Sequence, residues 1–312
     1  MKYTYRLLIA HKHFQKILLC MLMGGAMHLC SAREEEKVPH VEQGNFALPT
    51  SQELGPLFSF GQTVIGKKDL LALGVGGYTK DKKNYAFDLV PALLYGVSDT
   101  FALLMGYPIS AKQNAPSADS SGVDNPFLPA MGDLFVQGEY AFFNKDTATW
   151  ANQATILAFL SLPTGSCKQQ AQTGYGSPTF FFGATASHMS INWYLFGELG
   201  LLLPTRHRTG TCFGRQFWYA AGFSRNIAYS ERNWLFDWLV ELDGIVSMRD
   251  VWKGIVDPNS GGTSFFIAPS LFFSTQRFSL QGGIAFPAAQ HLLGEQYKIH
   301  YSILINVAWK FH

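Results

Sequence analysis

From Tyr301 to Phe311 the chain alternates. The odd positions are Tyr301, Ile303, Ile305, Val307, Trp309 and Phe311, and between them stand Ser302, Leu304, Asn306, Ala308 and Lys310. A β-strand turns successive side chains to opposite faces, so this run reads as a strand with one lipophilic face and one largely polar face. The same period recurs upstream. Leu134, Val136, Gly138, Tyr140 and Phe142 oppose Asp133, Phe135, Gln137, Glu139 and Ala141. Trp234, Phe236, Trp238, Val240 and Leu242 oppose Asp237, Glu241 and Asp243, and Phe278, Leu280, Ile284 and Phe286 oppose Ser279, Gln281 and Ala285. One such segment is weak evidence for a fold. Repetition along most of the chain constrains it strongly.

A soluble sandwich and a membrane barrel both alternate, and they differ in the face turned outward. A sandwich must coat that face with charge. Here charged residues are only 15% of the chain, against a typical figure of roughly 25%, and aromatics also reach 15%. Mean hydropathy is only +0.05, too low for several greasy helical spans. Beyond the N-terminal region no window approaches about 18 consecutive apolar residues, the helical minimum. The sequence therefore predicts an all-β fold, an antiparallel up-and-down transmembrane barrel with lipid outside and a polar lumen.

About twelve strands can be drawn, over residues 70–79, 85–96, 100–112, 132–143, 152–163, 178–188, 192–204, 214–225, 234–247, 264–274, 278–287 and 299–311. Connections mostly alternate in length: 97–99, 189–191 and 275–277 are tight, 144–151 and 226–233 are somewhat longer, and 113–131, 164–177, 205–213, 248–263 and 288–298 are long. An even-stranded barrel with both ends in the periplasm has short turns on that side and long loops outside. Residues 58–65 would make an odd strand and are expected to be a periplasmic or lumen-tucked lead-in.

The N-terminus is expected to be a cleaved signal peptide over residues 1–32. Lys2, Arg6, Lys12 and Lys16 precede an uncharged run from Ile17 to Ala32, and Cys30-Ser31-Ala32 offers a small-residue cleavage site. A membrane anchor would need a longer run, roughly 20 residues, and the setting of Cys30 is poor for lipid attachment. Residues 33–57, polar and unpatterned, read as a periplasmic leader, and 58–312 as the barrel in the outer membrane. Cleavage takes four of the 24 basic residues and leaves 20 against 22 acidic. No basic stripe remains to meet nucleic acid.

By parity Tyr95, Phe142, Trp193, Trp234, Trp309 and Phe311 face outward near strand ends, where an interfacial aromatic girdle meets lipid headgroups. Asp88, Asp133, Glu139, Glu198, Asp237, Glu241, Asp243 and Lys310 face inward and are candidate lumen-lining residues. Unpaired, the acids would favour cations or neutral solutes. Paired with basic groups, they would be structural, and both readings stay open. Phe135, Phe159, Phe181, Phe266 and Phe272 also face inward, which suits either a plugged lumen or one for apolar solutes. Cys167 and Cys212 fall in successive external loops, as a disulfide or as two free thiols.

Certain motifs resemble a known family. Phe58-Ser59-Phe60-Gly61-Gln62 leads into the first strand, Met131-Gly132-Asp133-Leu134 opens the fourth, and Leu162-Pro163-Thr164-Gly165 and Leu203-Pro204-Thr205 close two others. Together they resemble the outer-membrane barrels of the "MetA-pathway of phenol degradation" transporter family, over most of residues 55–312. The resemblance implies a passive channel or uptake barrel for small molecules, aromatic or poorly soluble compounds among them. It carries over no catalytic or binding residue. The two Leu-Pro-Thr sites read as strand exits, since Pro cannot donate to a ladder. The aromatic C-terminal strand resembles the one by which barrel-assembly machinery recognises its clients, although His312 stands where Phe is usual.

Catalysis needs a nucleophile, a base and an orienting group within reach. His188 with Ser190, His207 between Arg206 and Arg208, and His291 with Glu295 offer no such set, and no metal-ligand spacing or cofactor motif is present. The expected partners are outer-membrane lipid, small-molecule solutes and the assembly machinery. The competing class is an adhesive or structural barrel, since external loops often bind partners.

Overall fold

The computed structural model describes residues 40–311 apart from 83–84, 114–129, 166–175 and 208–209. The expected signal peptide and Cys167 lie outside the described residues, and with Cys167 the question of its pairing with Cys212. No described helix is long and apolar enough to cross a membrane.

Twelve antiparallel strands close into one barrel. They are β1 (Leu70–Asp81), β2 (Tyr85–Ser98), β3 (Phe101–Gly106, resumed at Ile109–Gln113), β4 (Ala130–Met131, resumed at Leu134–Asp146), β5 (Trp150–Leu162) and β6 (Thr179–Ser190). The second half is β7 (Trp193–Pro204), β8 (Gln216–Ser230), β9 (Trp234–Ser247), β10 (Gly262–Thr275), β11 (Phe278–Leu292) and β12 (Ile299–Lys310). Each strand pairs with its sequence neighbour, and β1 pairs with β12 from Leu71 opposite Lys310 to Asp81 opposite Ile299. Closure leaves no open edge, the condition for a sheet to stand in hydrocarbon.

The period-two pattern becomes two surfaces. On β7, Tyr194, Phe196 and Glu198 are buried while Trp193, Leu195, Leu199 and Leu201 are exposed. Exposed large hydrophobics recur on strand after strand, as an outer belt that lipid would cover. Tyr95, Phe142, Trp193, Trp309 and Phe311 are exposed on this outer wall and Trp234 is half-exposed.

One end of the barrel has tight turns, at 99–100, 147–149, 191–192, 231–233 and 276–277, and holds the start of β1 and the end of β12. The opposite end carries the longer connections. Residues 248–261 there contain a small hairpin, Val251–Trp252 against Ile255–Val256, tied to the preceding loop by mutual backbone bonds between Cys212 and Val251. In bacterial outer-membrane barrels short turns of this kind stand on the periplasmic side.

Local irregularities break the simple alternation at several points. β3 is interrupted at Tyr107-Pro108, where proline has no N–H for the ladder. A bulge between Ala141 and Phe143 turns both Phe142 and Phe143 outward. Further bulges lie between Asn226 and Ala228, between Gly96 and Ser98, and at Phe265/Phe266. The two Leu-Pro-Thr motifs end β5 and β7. Thr164 Oγ1 accepts from Leu134 N at 2.8 Å, and Thr205 Oγ1 donates to Pro178 O at 2.7 Å, so each threonine ties its strand's end to a neighbour.

Candidate functional site

Residues 40–69 run inside the barrel, entering and leaving at the tight-turn end. Near the rim, Val41 N donates to Ala148 O, Asn45 N to Ile191 O and Arg232 N to Ala47 O. Two short 3-10 turns follow, Gly44–Phe46 and Thr50–Gln52. Phe46, Leu48 and Leu54 pack on the inward Met189, Tyr194, Phe196, Leu235, Leu239 and Phe272. Ser274 donates to the buried Gln52, Gln281 Nε2 to Gly55 O, and Lys310 Nζ to Ser51 and Asp69 at 2.9 and 2.7 Å. The packing continues across residues 57 and 58 without a break, so the expected boundary between leader and barrel has no structural counterpart.

Mid-lumen, this segment forms neither helix nor strand, so its N–H groups have no ladder to join. A desolvated backbone N–H must find an acceptor, and here inward carboxylates supply them. Glu241 accepts from the N–H groups of Leu57 at 2.8 Å, Phe58 at 3.2 Å and Ser59 at 3.2 Å, and from Ser59 Oγ at 2.8 Å. Glu198 accepts from Phe60 N at 2.9 Å. Glu139 accepts from Gln62 N and Thr63 N, each at 3.0 Å, from the Thr63 hydroxyl, and from Thr155 Oγ1 at 2.5 Å. Six of the seven N–H groups from Leu57 to Thr63 thus end on three glutamates from β4, β7 and β9. The exception is Gly61, which turns the chain at φ +81°. Successive N–H groups aimed at one carboxylate stabilise its charge as they satisfy the backbone.

The barrel wall is shaped to receive the segment. Gly183 and Gly200 face each other across β6 and β7. A Cβ at either would meet the Phe60 ring, at 2.5 and 2.8 Å. Glycine at both leaves a slot, and Phe60 fills it edge-on to Phe181 at 4.7 Å.

The other inward acids are used differently. Asp133 Oδ1 accepts from Gly165 N at 2.9 Å, Asp88 accepts from Ser110, and Asp237 Oδ1 accepts from Asn226 at 2.8 Å. Asp243 is 9% exposed with neither carboxylate oxygen bonded, and Glu198 Oε1 is also buried and unbonded. In register these two residues flank Ala220, one on each side. Around the segment's Phe60 the lumen is aromatic: Phe181 and Trp218, 5.8 Å apart, both face its ring, and Phe135 lies 5.1 Å from Phe159. Phe266, on β10, belongs to a separate buried cluster with Ala268 and Ala285, and Phe272 packs lower down beneath Leu48 and Leu54. Period two places the inward acids and rings. Phe60 and Trp218 are missing from that set, although Trp218 has the inward parity of β8 and the Phe58-Ser59-Phe60 motif marks the lead-in as unusual.

Among the described residues His188 does not gather with a nucleophile and base. His188 lies on the outer wall beside Trp150 and Trp193, and Ser190 ends the same strand at the rim. Among the described residues no group of three or more His, Cys, Asp and Glu could hold a metal ion.

No family model matches the sequence, and no curated protein matches it. Among solved structures, an outer membrane channel from Pseudomonas putida F1 superposes with a TM-score of 0.60 at 12% identity, over 83% of this chain and 100% of that one. The NanC porin gives 0.45 at 12% identity, over 77% of this chain and 100% of its own. LpxR from Salmonella typhimurium gives 0.47 at 7% identity, over 77% and 100%. At these identities the likeness is one of fold, and the last two scores carry no argument. The first shows the architecture of an outer-membrane barrel.

Proposed function

We propose that this barrel is a non-enzymatic outer-membrane channel for passive or facilitated passage of small molecules, with aromatic and other apolar compounds as its preferred solutes. One observation carries the reading. The lumen joins a ring-lined zone, where Phe135, Phe159, Phe181 and Trp218 gather around the segment's Phe60, to a lower part filled by the rest of that segment. A wide aqueous pore has no use for desolvated rings, whereas an apolar solute gains by leaving water for them. The motifs at Phe58–Gln62, Met131–Leu134 and the two Leu-Pro-Thr exits, which resemble those of the phenol-degradation transporter family, support the same solute class.

Export through a cleaved signal peptide and recognition of β12 by the barrel-assembly machinery belong to this reading. The test is a pair of measurements on refolded full-length protein. Planar bilayers should show small ion currents, and liposomes should take up a small aromatic compound faster with the protein than without it. Silence in both would remove transport. An adhesive role would then gain from the external hairpin, where Ile255 and Val256 are 75% and 53% exposed.

A further inference from the structure

We propose that the outer wall carries a site for anionic glycerophospholipid headgroups at its periplasmic rim, spread over β4 to β8. None of its residues takes part in the lumen. At its centre is His188 of β6, whose ring lies between two indoles. Trp150 of β5 is 6.1 Å away with the planes 23° apart, and Trp193 of β7 is 4.7 Å away at 31°. The Nδ1 of His188 is 2.5 Å from Oδ1 of Asn152, its direct ladder partner on β5, which fixes the ring's orientation.

A cation stands on each flank. Lys145 of β4 is the ladder partner of Asn152 on the other side, and its Nζ lies 5.8 Å from the centre of the Trp150 ring. Arg225 of β8 lies opposite Trp193 on one side and Trp238 on the other. Both cations are exposed. Two other cations of this end are engaged by carboxylates, Lys310 by Asp69 and Arg232 by Glu42. Lys145 and Arg225 form no ion pair among the described residues.

An unpaired cation on a lipid-facing wall is stable only where it reaches phosphate or water at the interface. Indoles and histidine are amphipathic rings that settle at the same depth. From β4 to β8 there are four strand spacings, about 19 Å in all at about 4.8 Å each. The geometry therefore suits two phosphates, one at Lys145 and one at Arg225, with the glycerol regions lying over the Trp150–His188–Trp193 stack.

The test is native mass spectrometry of the full-length barrel in detergent, titrated with dioleoylphosphatidylglycerol or dioleoylphosphatidylcholine. The wild type should retain phosphatidylglycerol in preference, and Lys145→Gln combined with Arg225→Gln should weaken that retention roughly tenfold. His188→Ala should weaken it less, and Arg232→Gln, on the same rim, should leave it unchanged. Heat-modifiable gel mobility confirms that each variant is folded. Equal retention of the two lipids by the wild type would overturn the site. So would an Arg232→Gln loss as large as that of the double variant, which would show a diffuse rim charge.

Discussion

A carboxylate inside a barrel must be paired, hydrated or neutral, because desolvated charge is costly. Glu241 solves this with three backbone N–H groups and a hydroxyl from residues 57–59. Glu241→Gln keeps the shape but removes the charge and turns an NH2 toward those donors. Hydrogen bonds to charged groups contribute about 1.5–3 kcal/mol each. Losing about 2 kcal/mol of that would raise the population with the segment released roughly 30-fold. The measurement is the rate of maleimide labelling at Ser59→Cys, with and without Glu241→Gln; equal rates would show that Glu241 does not hold the segment. Glu53 acts in the opposite sense. Loss of water, with Asp146 adding to it, pushes its carboxyl up from the usual 4.5 to about 8. Its proton is thus bound more tightly when the segment is seated than when it is released. Seating is fully favoured below about 4.5 and weakens as pH climbs from there to about 8, above which the loss is complete. Labelling of Ser59→Cys by a reagent whose own rate is independent of pH should therefore rise across that window. Glu53→Gln should remove much of the rise, and an unaltered profile in that variant would assign it elsewhere.

At the scale of elements, the inner segment and the strands are held by different forces, so each can be perturbed without the other. Gly61 turns the segment at φ +81°, and a Cβ there would stand 2.5 Å from Thr185 Cγ2 on the wall. Gly61→Ala meets both a backbone penalty and a clash, and should pull Gln62 and Thr63 off Glu139. The strand ladders should persist. The expected outcome is unchanged gel mobility with larger ion currents. Gly74→Ala is the control, since a Cβ there meets nothing within 4 Å. Wild-type currents in Gly61→Ala would show that this turn is not needed for closure. The strands were legible in the sequence because each hairpin is local and its two faces meet different media; β9 was placed at its observed bounds. The bulge at Ala141/Phe143 was not, since one inserted residue leaves no mark on a pattern already rich in aromatics. The path of residues 57–63 was hidden for another reason. Its acceptors stand 76 to 184 residues away, and a segment bonded through its backbone N–H groups needs no side-chain period. The inward direction of Glu139, Glu198 and Glu241 was readable. What they hold was not.

For the whole molecule, the central question is whether the segment supports the barrel or only fills it. Closure of β1 on β12 completes the ladder of strands without residues 40–66. The segment contributes apolar contacts through Phe46, Leu48 and Leu54, and its loss would expose Leu235 and Leu239, which are 0% exposed in the complete structure. Water flooding the lumen would offset part of that loss by hydrating Glu139, Glu198 and Glu241, which otherwise would lose their donors. A full-length chain lacking only residues 44–66 should therefore still fold into a closed barrel. It should melt lower, and conduct far more than the intact protein. The freed glutamates would join Asp243 in setting the lumen's potential, so its reversal potential in a potassium chloride gradient should show a clear preference for potassium. Adding Glu198→Gln and Asp243→Asn should reduce that preference while leaving the single-channel conductance open. A deleted chain that fails to fold would make the segment part of the barrel's core. One that folds but conducts no better than the intact protein would place the barrier in the external loops, and the aromatic zone of the lumen would then be a closed chamber, not a route.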